Sequence, residues 1–551
     1  MTIFDWLIVL VLNGGVVGLG FYFSRETPST TQWFLGSRML PWWAIGMSMF
    51  ATNVDNADLV GVTGNSFAEG VHIVSVYAIG SAVGGILAAF CIVPAIYRLG
   101  CFTNAEFLEI RFGPVTRILS ALIQLQYRSS MLGLMIWSVF LLLTKLVELQ
   151  AATAWALIVI FVVLAGCYAA WGGLKAVVWT DAVQGIIMMI GSMVIFVSVW
   201  NAVGGWSAMD KALNDAGTVE GVKLSDLKHI SAYQGDNDQT SPFMVILGWT
   251  IVGSGYWTVN HTQTMRLMGA RSLWDMRMAA LFGVATSLPI MICCVCLGLL
   301  ARAIPDLQAV SDPDTIFPML ADRYLGWGLK GIVVAGILAA AVSTFDSMGA
   351  SLSAVFTRDI YARLIASDRD DQHYVLVSRW ATIGILGLGF LYLPFIWRFP
   401  NMLRAFTTLI PVFVTPLFTI YLIGALTRVP RCSGLIGLLV GSTYGFIALI
   451  DREFYNVDAI PTWFSSRWMA FAISMSFTAL AMAITALICG LETKTTSDSF
   501  DDRGWLKRSR QNLPPLREHP FEAEVPLALH PVVWSIVLLA GCSWVVFGLF
   551  W

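Results

Sequence analysis

Apolar residues come in blocks of about twenty along this chain, parted by short polar stretches. A helix needs roughly 20 mostly apolar residues to cross the ~30 Å hydrocarbon layer. Fourteen segments meet that test, at about 5–24, 41–66, 71–97, 117–146, 152–171, 179–202, 241–262, 277–303, 331–354, 377–397, 402–426, 432–450, 468–490 and 530–550. The first is a helix rather than a signal peptide, because its start carries Asp5 and no positive charge. When the gaps between helices are numbered alternately, one set with its adjoining helix ends holds 21 of the 33 Lys and Arg, the other holds 11, and Arg128 lies inside a helix. Basic residues mark the cytoplasmic side, so both termini are expected outside a cell's inner (plasma) membrane. The loop 203–240 then faces outward. The stretch 491–529, with Pro514 and Pro515, is a cytoplasmic linker with no core of its own.

Composition agrees with lipid as the main solvent. The chain is 57% hydrophobic and 12% charged, against about 45–50% and about 25% for soluble proteins. That excludes a cytosolic enzyme, a secreted disulfide scaffold, a coiled coil and a disordered protein. The net charge of −2 leaves no basic surface for nucleic acid. The six His, at 72, 229, 261, 373, 519 and 530, show no metal-ligand spacing, and no catalytic triad stands out. No enzyme and no metal other than a transported ion is expected. The longest non-spanning stretches, about 38 and 39 residues, are too short for a stable soluble domain.

Polar residues inside the apolar runs carry the chemistry. An ionisable group within a bilayer is costly and lines a cavity or a pathway. The second segment reads Ala51-Thr52-Asn53-Val54-Asp55-Asn56-Ala57-Asp58 at mid-helix. Asn and Asp compete with the helix ladder, so this helix is expected to break here, facing a cavity and freeing carbonyls for a cation. Gly253, Ser254 and Gly255 in the seventh segment mark either a second break or a glycine packing seam. Two broken helices at matching places suggest two inverted five-helix halves, 41–202 and 241–426. Residues 1–40 then form an extra helix and a cytoplasmic loop, 427–490 two further helices, and 530–551 the last. In the ninth segment Ser343 and Ser347 share one face with Thr344 beside them, hard oxygen donors suited to Na⁺. Asp181 sits near a helix end and Arg128 near mid-helix. A buried guanidinium needs a partner, either Asp55 or Asp58 on the broken helix, or a substrate carboxylate.

Several stretches together resemble the sodium:solute symporter family, which includes the sodium–glucose cotransporters. They are Phe34 to Trp43, Thr103 to Gly113, Gly172 to Asp181 followed by Gln184, and Ser343-Thr344 followed by Thr357 to Tyr361. The resemblance covers about residues 5–490. It implies an all-α membrane protein with a LeuT-like 5+5 inverted repeat, about 14 transmembrane helices, and sodium-driven uptake by alternating access. Carried over by position, it implies a sodium site from the carbonyls of Ala51, Val54 and Ala340 and the side chains of Ser343 and Thr344. It matches Asp181 to an Asp that holds a second sodium in some members. The substrate-facing set it implies is Asn53, Asp55, Asp58, Tyr77, Arg128 and Tyr256, with Gly253 alongside. These depart from the residues of sugar-transporting members and suit a polar or charged solute: a sugar-like compound, polyol, amino acid or carboxylate.

Na⁺ is thus the expected coupling ion, and a lipid bilayer and a small solute are the expected partners. A proton is the rival ion, since Asp55 and Asp181 could carry one. A transporter-like sensor is a further alternative, though the chain has no room for a signalling domain. The oligomeric state is not legible.

Overall fold

The computed structural model describes residues 1–24, 29–219, 221–233, 240–399, 401–455, 461–492, 504–517 and 525–551. Helices account for nearly all of them. The sheet present among the described residues is a two-residue ladder, Thr218–Val219 against Val222–Lys223. Besides shorter connecting helices such as Gly205–Ala216 and Ile316–Tyr324, the chain runs through α1 (Ile3–Phe23), α2 (Trp42–Asn53), α3 (Asn56–Glu69), α4 (Val71–Arg98), α5 (Asn104–Phe112), α6 (Pro114–Lys145) and α7 (Ala151–Val203). There follow α8 (Pro242–Val259), α9 (His261–Met268), α10 (Leu273–Arg302), α11 (Leu329–Ile365), α12 (Asp371–Ile396) and α13 (Met402–Leu426). The last four are α14 (Arg431–Phe454), α15 (Arg467–Cys489), α16 (Gly504–Gln511) and α17 (Pro531–Leu549).

Among the described residues, twelve helices are long and apolar enough to cross a membrane alone. Two further crossings are hidden by how the chain folds. The 53 residues of α7 would reach about 80 Å if straight, far more than a bilayer needs. At Gly173 the backbone leaves helical geometry (φ 58°, ψ −159°), so α7 is two spans joined at a sharp bend. An added Cβ there would lie 2.8 Å from the Trp33 carbonyl, so glycine alone fits. The pair α2 and α3 is one span in two pieces, each too short by itself. Fourteen crossings result, as the hydropathy pattern predicts.

Both ends of the chain lie on one face. Asp5 at the start of α1 accepts from the amides of Gly328 and Gly331 at 2.7 and 3.0 Å. The amide of Ile230, in the 203–240 loop, donates to the Phe550 carbonyl at 2.7 Å.

The opposite face is closed by ions and by a docked segment. Arg117 meets Glu109 at 2.7 Å, Asp359 at 2.7 Å and Glu106 at 3.3 Å, while Arg358 meets Glu106 at 2.6 Å and Arg363 meets Glu109 at 2.9 Å. Three cations balance three carboxylates, which is what burial of such groups requires. Against the cost of burial, the Arg358 and Arg117 guanidiniums hold Glu106 below the usual carboxylate range. The stretch 491–529 is more than a bare linker where it is described. Within α16, Trp505 stacks on Tyr374 with ring centres 3.8 Å apart and donates to Asp371 at 2.5 Å. Arg510 reaches the Leu99 carbonyl at 2.6 Å and Arg508 reaches Asp368 at 2.8 Å.

Candidate functional site

The break in the second segment falls where the polar residues predict it. The chain leaves the helix at Val54 (φ −105°, ψ 85°) and Asp55 (φ −92°, ψ 178°) and re-enters at Asn56. In an unbroken helix the Asp55 amide would bond the Ala51 carbonyl, and the Asp58 amide that of Val54. Instead the Asp55 amide donates to the Asp58 carboxylate at 3.4 Å, and the Asp58 amide to the Asp55 carboxylate at 2.9 Å. This reciprocal capping box deprives the Ala51 and Val54 carbonyls of their helical donors.

Across from this break stands α11. Its Ser347 hydroxyl lies 3.2 Å from that of Thr52 on α2. Ala51, Val54, Ala340, Ser343 and Thr344 are all buried. Thr344 donates to the Ala340 carbonyl at 3.0 Å, and Ser343 donates to Asp181 at 2.6 Å. Hydroxyls that donate backwards in this way still present lone pairs forward. Carbonyls and hydroxyls together make a neutral, hard-oxygen environment of the kind a small cation takes.

Asp181 does not sit at the water boundary; it is completely buried on the second arm of α7. Besides Ser343 it accepts from Ser48 at 2.5 Å, Ser347 at 3.3 Å and Arg266 at 2.9 Å. Arg266, on α9, also donates to Ser48 at 2.6 Å, to Thr52 at 2.8 Å, to the Thr262 carbonyl and to Ser347. One guanidinium thus ties α2, α7, α9 and α11 together. Asp346 lies next to this network, accepting from Tyr168 and, at 3.0 Å, from Ser347.

The six residues expected to face substrate converge. Asn53, Asp55, Asp58, Tyr77, Arg128 and Tyr256 line one cavity, with Trp249, Met131 and Phe406 among its apolar walls. Asp58 accepts from the Tyr77 hydroxyl at 2.6 Å. Tyr256 donates to the Thr52 carbonyl at 2.9 Å and accepts from Gln263 at 3.1 Å, joining the two interrupted helices beneath the cavity. The pair between Arg128 and Asp55 or Asp58 does not form. Among the described residues Arg128 makes no ion pair within 4 Å, and its Nε has no hydrogen-bond partner.

Of the two sequence readings of Gly253 to Gly255, the packing seam is the one that holds. The seventh segment breaks at Asn260 (φ −63°, ψ 111°), between α8 and α9, and not at Gly253 to Gly255. The Asn260 side chain accepts from the Thr262 amide at 3.1 Å, an N-cap at the edge of an apolar run. The glycines remain helical and form a seam: a Cβ on Gly253 would meet the Gly80 carbonyl carbon at 2.5 Å. Arg266 was missed as a site residue. It lies six residues past Asn260, where a loop charge on the cytoplasmic side looks the same in sequence.

Known proteins resemble this arrangement. The model of the sodium:solute symporter family matches residues 33–441. The sodium/glucose cotransporter of Vibrio parahaemolyticus is 26% identical over 432 residues, covering 72% of this chain and 75% of that protein. The uncharacterized symporter YidK of Escherichia coli (strain K12) is 26% identical over 448 residues, covering 79% and 77%. A Na⁺-coupled sialic acid symporter, solved in a substrate-bound outward-open state, superposes with a TM-score of 0.73 at 18% identity, covering 88% of this chain and 98% of that one. Mhp1, a nucleobase-cation-symport-1 family transporter, gives 0.52 at 11% identity, covering 86% and 98%. The fold is the LeuT-like inverted repeat of these transporters.

Proposed function

The chain belongs to the sodium:solute symporter family, and on that premise we propose that it imports a small polar organic solute together with sodium by alternating access. It is a multi-pass membrane transporter and not an enzyme. The two five-helix halves are 41–202 and 241–426. The membrane is the plasma (cell inner) membrane, with both termini outside.

The observation that carries the sodium reading is the capping box. It turns two amides away from Ala51 and Val54, leaving carbonyl oxygens beside a helix that offers the Ser343 and Thr344 hydroxyls. A dry site of neutral oxygens binds a small cation without a counter-charge of its own. Asp55, Asp58, Tyr77, Arg128, Asn53 and Tyr256 surround the solute.

One sodium per cycle fits the charges better than two. Asp181, the candidate for a second ion, already holds the Arg266 guanidinium. The same pairing weakens the proton alternative, because an engaged carboxylate gives up its cation only at the cost of stranding a buried charge. Sodium alone tests the reading. NaCl, compared with choline chloride, should raise the thermal midpoint of the purified protein by mass action, and Ser343→Ala should shrink the difference at a given NaCl concentration. Equal midpoints in the two salts for the unaltered chain would overturn it.

A further inference from the structure

Arg128 is 3% exposed. It lines the solute cavity, flanked by the rings of Tyr256 and Tyr127, whose centres lie 5.7 and 6.0 Å from its guanidinium carbon. A guanidinium is always charged and offers a planar fork of donors. Buried without a carboxylate in direct contact, it is a costly group to keep. The nearest carboxylates act on it only through space: Asp55 and Asp58 turn their oxygens to the amides that cap α3, and Asp58 also to Tyr77. Among the described residues neither forms an ion pair with Arg128. Asn53, on the same cavity, has an Nδ2 without an acceptor.

We infer that the direct partner of this fork is the solute, and that this transporter takes a small carboxylic acid whose carboxylate docks on Arg128. This rests on the proposed solute cavity and sodium coupling. Two parallel N–H···O bonds between guanidinium and carboxylate are short, directional and strengthened by charge. The far end of the solute meets the remaining lone pairs of Asp55 and Asp58, which accept and do not donate. That end therefore carries donors, hydroxyls as in a sugar acid or an ammonium as in an amino acid. A neutral sugar satisfies the aspartates and leaves Arg128 buried without a carboxylate on its fork. Sodium entering with the acid offsets the added negative charge.

The test is a thermal-shift panel on the purified full chain, in NaCl and in choline chloride, using pairs that differ at one carboxyl group: glucuronate with glucose, gluconate with sorbitol, proline with prolinamide. The acid of at least one pair should raise the midpoint in NaCl while its neutral partner does not, and the responding pair identifies the donors as hydroxyl or ammonium. Arg128→Gln should fold normally and lose at least tenfold in affinity for that acid, with Arg128→Lys losing less. Neutral members that shift the midpoint as strongly, a panel in which no acid shifts it, or an Arg128→Gln protein with unchanged affinity would each overturn the inference. So would an Arg128→Gln protein that unfolds and is restored by Asp55→Asn, which would establish an internal pair. NaCl against choline chloride without solute reports on sodium alone. If that difference survives while the acids fail, the carboxylate inference falls and the sodium reading stands; if it vanishes, the sodium reading falls.

Discussion

Asp55 and Asp58 each accept the other's backbone amide, and the two amides so captured are those that would otherwise close on the carbonyls of Ala51 and Val54. Two carboxylates that read as solute ligands are therefore also the device that frees the carbonyls of the proposed ion site. The roles separate by substitution. Asn caps a helix about as well as Asp, whereas Ala costs about 0.5–2 kcal/mol. Asp55→Asn should keep the sodium affinity of the unaltered protein, and Asp55→Ala should lower both thermal stability and sodium affinity. Sodium titrations followed by thermal shift check this; equal sodium affinity in Asp55→Ala would mean that the cap does not govern the carbonyls.

The hydroxyls opposite make a more direct claim. Ser343→Ala and Thr344→Ala each delete one oxygen from a dry set. Each should raise the sodium concentration for half-maximal effect at least tenfold, about 1.4 kcal/mol, while the protein stays folded. Thr344→Ser keeps the hydroxyl and should retain most of the affinity. Normal sodium dependence in both alanine variants would move the ion elsewhere.

Arg266 and Asp181 are a second buried relationship. Removing one partner of a buried pair costs roughly 3–5 kcal/mol, because the other is left uncompensated. Arg266→Gln and Asp181→Asn should each destabilise the protein, and the double variant should be more stable than the sum predicts. If Asp181 is freed in Arg266→Gln, an added cation can take the vacated place. The Hill slope for sodium should then exceed the value near one expected of the unaltered chain. Additive losses with an unchanged slope would show that the two residues act independently.

Acidity acts through Asp314, in the stretch between α10 and α11. Burial, with Asp312 nearby, pushes its carboxyl up to about 7, against the pull of the Met402 amide it accepts from at 2.9 Å. The unfolded chain releases that proton near pH 4, so between about pH 4 and 7 the folded chain holds one proton more. Stability from this group is present below that window and falls as pH rises through it, by at most about 1.4 kcal/mol per pH unit. Asp314→Asn keeps the acceptor and removes the titration, so its midpoint should gain on the unaltered protein from pH 5 to pH 8. A constant difference across that range would place the proton on another group.

The crossings, the first break and four of the six cavity residues were legible for one physical reason, while Tyr77 and Tyr256 came only from the family resemblance. Lipid makes every polar side chain expensive, so Asn53, Asp55, Asp58 and Arg128 stand out against their surroundings without any knowledge of the fold. Where that contrast fades, so does legibility. Asn260 caps α9 at the edge of an apolar run, and polar residues are ordinary at an edge. Gly253 and Gly255 loosen a helix in isolation, but their use here is close approach, which depends on a helix some 170 residues earlier. Arg266 and Asp181 are 85 residues apart, and only the packed bundle makes them partners. Trp505 sits in a polar stretch whose one apolar turn gains meaning from Tyr374 and Asp371.

The glycine seam also governs how the molecule can move. With backbone against backbone at Gly80, Gly84 and Gly253, and with Trp249 of α8 donating to His72 of α4 at 3.1 Å, α4 and α8 are held together at close range. They are welded into a single lever. Any rocking that opens one face of the cavity and shuts the other must carry this lever whole, and the bending falls to Val54 and Asn260, where the ladder of each first helix is already cut. The two interruptions are thus the natural hinges of this frame, and the proposed ion and solute sites both lie beside the first of them.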